Sequence, residues 1–149
     1  MESLVPEGPS ATPKIARFLA DGSPRVRARA MELLADFGPK AELALGQILP
    51  MTRDTRPEIR LASVKCLAQI ASPKAEEALE RSRKDPAPAV RAWALAGLNK
   101  LDKDDCKDRL EDLTELLAEH TGPTAEEAAD ASKLFDCISE DAVETLRKA

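Results

Sequence analysis

Aromatic residues are nearly missing from this 149-residue chain, which has 3 Phe, 1 Trp and no Tyr. A β-sandwich core draws on aromatic and β-branched side chains, so the composition favours closely approaching helices rich in alanine and leucine. Histidine is as scarce. The single one, His120, rules out metal centres built from several histidines, and it falls near a helix end, where a positive charge is favourable. The three cysteines, Cys66, Cys106 and Cys137, are widely spaced and form no CxxC pair. They read as small core or flanking residues of a protein in a reducing cytoplasm. The glycines are scattered rather than gathered into a phosphate-cradling loop, and no GxSxG, HExxH or P-loop motif is present. No run approaches the roughly 20 apolar residues of a bilayer span. The opening MESLVPEGPS lacks the basic start and apolar stretch of an export signal. These absences predict no catalysis, no cofactor, no metal and no membrane partner.

What is present is charge, and it is unevenly spread. Residues 1–101 hold 16 Lys and Arg against 12 Asp and Glu, whereas residues 102–149 hold 6 against 15. The chain is therefore basic first and acidic last, an asymmetry able to orient an approaching partner. Its length suffices for a core without disulfides or metal, so a single domain over 1–149 is expected.

The first hundred residues repeat. Asp21, Pro24, Val26 and Arg27 recur as Asp54, Pro57, Ile59 and Arg60, then as Asp85, Pro88, Val90 and Arg91, at steps of 33 and 31 residues. Ala30, Met31, Leu34 and Phe37 correspond to Ser63, Val64, Leu67 and Ile70, then to Ala94, Leu95, Leu98 and Leu101. At about 100° per residue these positions share one face, so each copy opens with an amphipathic helix, here helix A. A second helix, B, follows: PKAELAL at 39–45 matches PKAEEAL at 73–79, each with proline at a first-turn position that has no need of an N–H.

The pattern places an N-terminal capping helix at 11–20, repeat 1 at 21–53, repeat 2 at 54–84 and repeat 3 at 85–120. Repeat 3 closes with a helix that starts at Asp104 or Asp105 and ends around His120. A divergent capping repeat is expected over 123–149, opened by a capping box of Thr124 and Glu127, its acidic surface suiting a terminal unit.

The motif DxxPx[VI]R followed by two helices is similar to HEAT-like repeats of the phycobilisome-lyase type, over residues 21–101. The resemblance implies an all-α, right-handed α-solenoid of antiparallel helix pairs, with helices A outside and helices B lining a concave surface that binds other macromolecules. It does not imply catalysis.

Arg27, Arg60 and Arg91 lie at the edge of the buried stripe, so each guanidinium needs a partner. The carboxylates of Asp21, Asp54 and Asp85 supply it, in an alternating structural ladder that also accepts backbone N–H groups at the helix starts. For partner binding the candidates are Trp93, a frequent type of interface anchor set about 110° from the centre of the apolar stripe, and polar positions on helices B. The latter are Lys40, Glu42 and Gln47, then Lys74, Glu77 and Arg81.

The expected function is a noncatalytic protein–protein interaction scaffold or adaptor. The alternatives are a tetrapyrrole (bilin) lyase-like accessory subunit, which the resemblance suggests, and a HEAT-like nucleic-acid-binding protein. Net acidity and the shortage of stacking aromatics argue against nucleic acid as the partner.

Overall fold

The computed structural model describes residues 8–102, 106–119, 126, 127, 130 and 131. Among these the chain is helical and contains no strand. α1 (Thr12–Ala16) continues into a 3₁₀ turn, Arg17–Ala20. α2 (Pro24–Phe37), α4 (Pro57–Ile70) and α6 (Pro88–Leu101) are the three helices A, each 14 residues long and each opened by its proline. Between them come α3 (Leu45–Ile48), flanked by the 3₁₀ segments Gly38–Ala44 and Leu49–Arg53, and α5 (Glu76–Ser82), preceded by the 3₁₀ turn Pro73–Ala75. The helices B of the first two repeats are thus short and partly wound as 3₁₀. α7 (Cys106–Glu119) follows. Asp104, Asp105, His120 and Thr124 lie outside the described residues, as does most of the expected repeat over 123–149.

α2, α4 and α6 pack side by side as one layer. The second layer is formed by α1, the α3 segment, α5 and α7, each against its neighbouring helix A. The repeat positions account for the join between layers: Ala30, Met31, Leu34, Ser63, Val64, Leu67, Ile70, Ala94, Leu95 and Leu98 are all buried. Phe37 and Leu101, at the ends of their helices, are partly buried against the same core. α6 goes further, with every residue from Ala92 to Asn99 buried. Gly97 permits this crowding. A Cβ there would meet the Leu79 methyl carbons at 3.0 and 3.1 Å and the Ala68 Cα at 3.3 Å, so any side chain would make Leu79 and the α4 backbone give way. Asn99 is the polar exception in that run: it is fully buried, and neither its Oδ1 nor its Nδ2 finds a hydrogen-bond partner among the described residues.

Two different devices end helices A. α2 stops at Gly38, whose φ of 59° and ψ of −137° belong to glycine's own region. α4 stops at Ala71, which adopts left-handed geometry with φ of 55°, and Ser72 then accepts a hydrogen bond from the Lys74 N–H at 3.4 Å while donating to the Glu42 carboxylate at 2.7 Å.

The arginines and aspartates tie successive repeats together. Within a repeat, Arg27, Arg60 and Arg91 each donate through Nη1 to the backbone carbonyl of Asp21, Asp54 and Asp85, at 2.9, 2.9 and 2.8 Å. Each aspartate Oδ1 accepts the N–H two residues on, from Ser23, Arg56 and Ala87, at 2.8, 2.9 and 2.9 Å. The carboxylate also faces backwards: Asp85 receives Arg60 through two bonds, from Nε at 2.9 Å and Nη2 at 3.2 Å. The Arg27–Asp54 contact is looser, at 3.9 Å. The aspartate expected to pair with the arginine six residues later therefore gives that arginine its carbonyl oxygen and gives its carboxylate to the arginine of the preceding repeat. The geometry of the turn dictates this, because a carboxylate occupied by the N–H two residues on points towards the neighbouring repeat.

Two variants probe this architecture. Arg60→Ala leaves the Asp85 carboxylate, with only 7% of its side chain exposed, without its bidentate partner. Denaturant unfolding is expected to show a loss of about 2 kcal/mol, roughly twice that of Arg27→Ala, whose ion pair is longer and wetter. Gly97→Val forces Leu79 and the α4 backbone apart and is expected to cost about 1–3 kcal/mol in the same measurement.

Candidate functional site

The faces of α2, α4 and α6 turned away from the second layer do not close over one another. On α2 and α4 the side chains there are short, including Ala28, Ala35 and Ala62, so the stacked helices leave an open groove of about 650 Å³. Met31 and Leu61 add to its apolar floor, and Trp93 lines it from α6. Glu32, Asp36 and Glu58 stand on it as carboxylates, and Lys65 and Glu127 complete the lining around Trp93. Among the described residues, four carboxylates thus face one ammonium.

Trp93 is 6% exposed, so the candidate anchor is packed into the lining rather than presented to solvent. Its indole N–H donates to Glu127 Oε2 at 2.7 Å. The Lys65 ammonium lies 5.2 Å from the ring centroid, a cation–π distance. Lys65 also donates to Glu127 Oε1 at 3.1 Å and sits 2.9 Å from Oε2. Glu127 reaches α4 and α6, where an ammonium and an indole N–H offer charge-assisted bonds, while the capping box expected with Thr124 lies outside the described residues. No sequence rule links positions 65, 93 and 127, which belong to three separate helical segments. The apolar second face of helices A, visible as Ala28, Ala35, Leu61 and Ala62 at positions where a solvated helix carries polar residues, is the signal that could have found the groove.

The polar candidates on helices B lie elsewhere. Lys40, Gln47, Lys74, Glu77 and Arg81 are exposed in the second layer, and none lines the groove. Arg81 pairs with Glu77 at 2.8 Å and borders a smaller hollow of about 240 Å³ with Arg53 and Lys84. Of these two openings, the larger is on the helix A side. Small residues on that side hold the floor low, whereas the exposed helix B positions carry long polar chains.

Among the described residues, no group of three or more His, Cys, Asp or Glu could hold a metal ion, and no described helix is long and apolar enough to cross a membrane. Cys66 is a buried thiol of α4, whereas Cys106 is disulfide-bonded. That bond corrects the reading of the cysteines as free thiols and removes cysteine usage as an argument for a reducing compartment. Cys137 lies outside the described residues.

A layer of stacked helices A over a layer of short helices B, joined repeat to repeat through arginine and aspartate, defines an α-solenoid of helical repeats. A family model described as HEAT repeats matches residues 44–133, more than half of the chain, and the chain belongs to that family. No curated protein and no solved structure matches it.

Burial pushes the Cys66 thiol up from 9.0 to about 12. The folded state therefore holds a proton that the unfolded state releases, and this contribution to stability is present below pH 9 and is lost as pH rises towards about 12. Thiol reagents at pH 8 are expected to leave Cys66 unmodified in the native protein and to label it on unfolding, as read by peptide mass.

Proposed function

We propose that the protein is a noncatalytic scaffold or adaptor that binds a protein partner in the groove across α2, α4 and α6. The groove itself carries the reading: an apolar floor rimmed by carboxylates, on a rigid stack of helices, is the anatomy of a protein-recognition surface. Membership of the HEAT-repeat family supports it. Antiparallel pairing within repeats and a right-handed superhelix belong to the same reading. Such a surface is preorganised, so a partner binds without the cost of ordering it.

The charge of the groove opposes the other two ligand classes. A bilin brings two propionate groups and a nucleic acid brings phosphates, and either would meet four carboxylates and an ammonium already held by Glu127. The helix B polar residues and the basic hollow near Arg53, Arg81 and Lys84 remain secondary surfaces in this proposal.

The test is affinity capture with the full chain from lysate of the source organism, with and without nuclease, against the variant Ala62→Arg. Arginine keeps helix propensity and fills the trough. A single near-stoichiometric protein that survives nuclease and is lost with Ala62→Arg is the expected outcome. Loss of every partner on nuclease treatment, a coloured eluate, or capture indifferent to Ala62→Arg overturns the reading.

A further inference from the structure

We infer that the occupant of the groove is a cationic amphipathic helix, an inference that rests on the protein-binding reading above and names the partner's chemistry. Two features of the groove select that shape. Its walls are helices, whose backbone groups are consumed within each helix and offer no edge for an extended peptide to pair with. An extended segment lying on the apolar floor would leave its own N–H and C=O groups unsatisfied, whereas a helix brings them already paired and presents only its apolar stripe.

Charge selects the rest. Glu32 and Asp36 stand one turn apart on α2, and Glu58 stands near the start of α4. Asp36 and Glu58 make no ion pair among the described residues, and Glu32 makes only an exposed one, with Arg29 at 3.0 Å. The lone ammonium of the lining, Lys65, is held against Glu127 and the Trp93 ring. The rim is therefore a row of carboxylates beside an apolar floor, of which only Glu32 has a cationic neighbour among the described residues. Lysines or arginines flanking the apolar stripe of an incoming helix would complement it, and acidic segments would be repelled. Lys65 also separates this mode from simple ion exchange, because the cationic helix has to seat its apolar side chains rather than displace an ammonium already paired.

The chain's single tryptophan lies in the lining and reports occupancy directly. The full chain is titrated at low salt with a synthetic helix of about 15 leucine and lysine residues whose leucines recur at helical spacing. Trp93 emission is followed throughout. Controls are a scrambled peptide of the same composition and a leucine–glutamate counterpart. The variant carries Asp36→Lys with Glu58→Lys, both exposed sites, and its fold is checked by circular dichroism.

A saturable change in Trp93 emission with the amphipathic cationic helix alone is expected. It should weaken about tenfold or more in the charge-reversed variant and fall with added salt. An equal response to the scrambled or the glutamate peptide, or an undiminished affinity in the variant, overturns the inference. So does a doubled mass in light scattering with Trp93 perturbed in the absence of peptide, which would make a second copy of the chain the occupant. Failure of the peptide while capture from lysate remains sensitive to Ala62→Arg sinks the cationic helix and leaves the scaffold reading standing. Failure of both sinks both.

Discussion

The fold depends on an arginine that reaches across a repeat boundary. A single pair of short helices cannot bury its apolar face alone, so each repeat is stable only against the next. Arg60 fixes that contact at one geometry by binding its own repeat through the Asp54 carbonyl and the following repeat through both oxygens of Asp85. Because the Asp85 carboxylate also accepts the Ala87 N–H at the mouth of α6, the same group sets where that helix begins and which arginine it meets. The Arg27–Asp54 step repeats the design with a longer contact.

From that register follows the groove. Helices A held side by side bury one face against the second layer, and the residues that remain on the other face decide whether the surface is filled or hollow. Alanines at 28, 35 and 62 leave it hollow. Trp93 closes its far end only because Lys65 and Glu127 satisfy the indole and one another. The buried Asn99, with both polar atoms unpaired among the described residues, stands where the earlier copies have Ala35 and Ala68. Its desolvation is a cost that the dense packing around α6 has to outweigh.

The electrical asymmetry of the chain has a local counterpart. Although the first hundred residues are net basic, their cations are largely engaged. Arg27 and Arg60 serve the repeat junctions, Arg91 ties down the turn of its own repeat, and Lys65 serves Glu127 and Trp93. The carboxylates of the groove are left facing outward, so the binding surface has the opposite sign to the segment that builds it. A count along the sequence cannot show this, because the sign of a surface depends on which charges are already paired.

The sequence alone determined the all-helical class, the spacing of the repeats, their core positions and the identity of the charged residues at their junctions. Periodicity suffices for these, because side chains at helical spacing share a face wherever the helix lies. It also placed the prolines that open α2, α4 and α6. The tertiary structure decided which aspartate each arginine meets, since that partner is 25 residues away for Arg60. It also decided that Trp93 is clamped rather than exposed, and that an open groove lies across helices A. Each of these depends on which surfaces meet between repeats. Spacing within one helix carries no record of its neighbour's charge, size or approach.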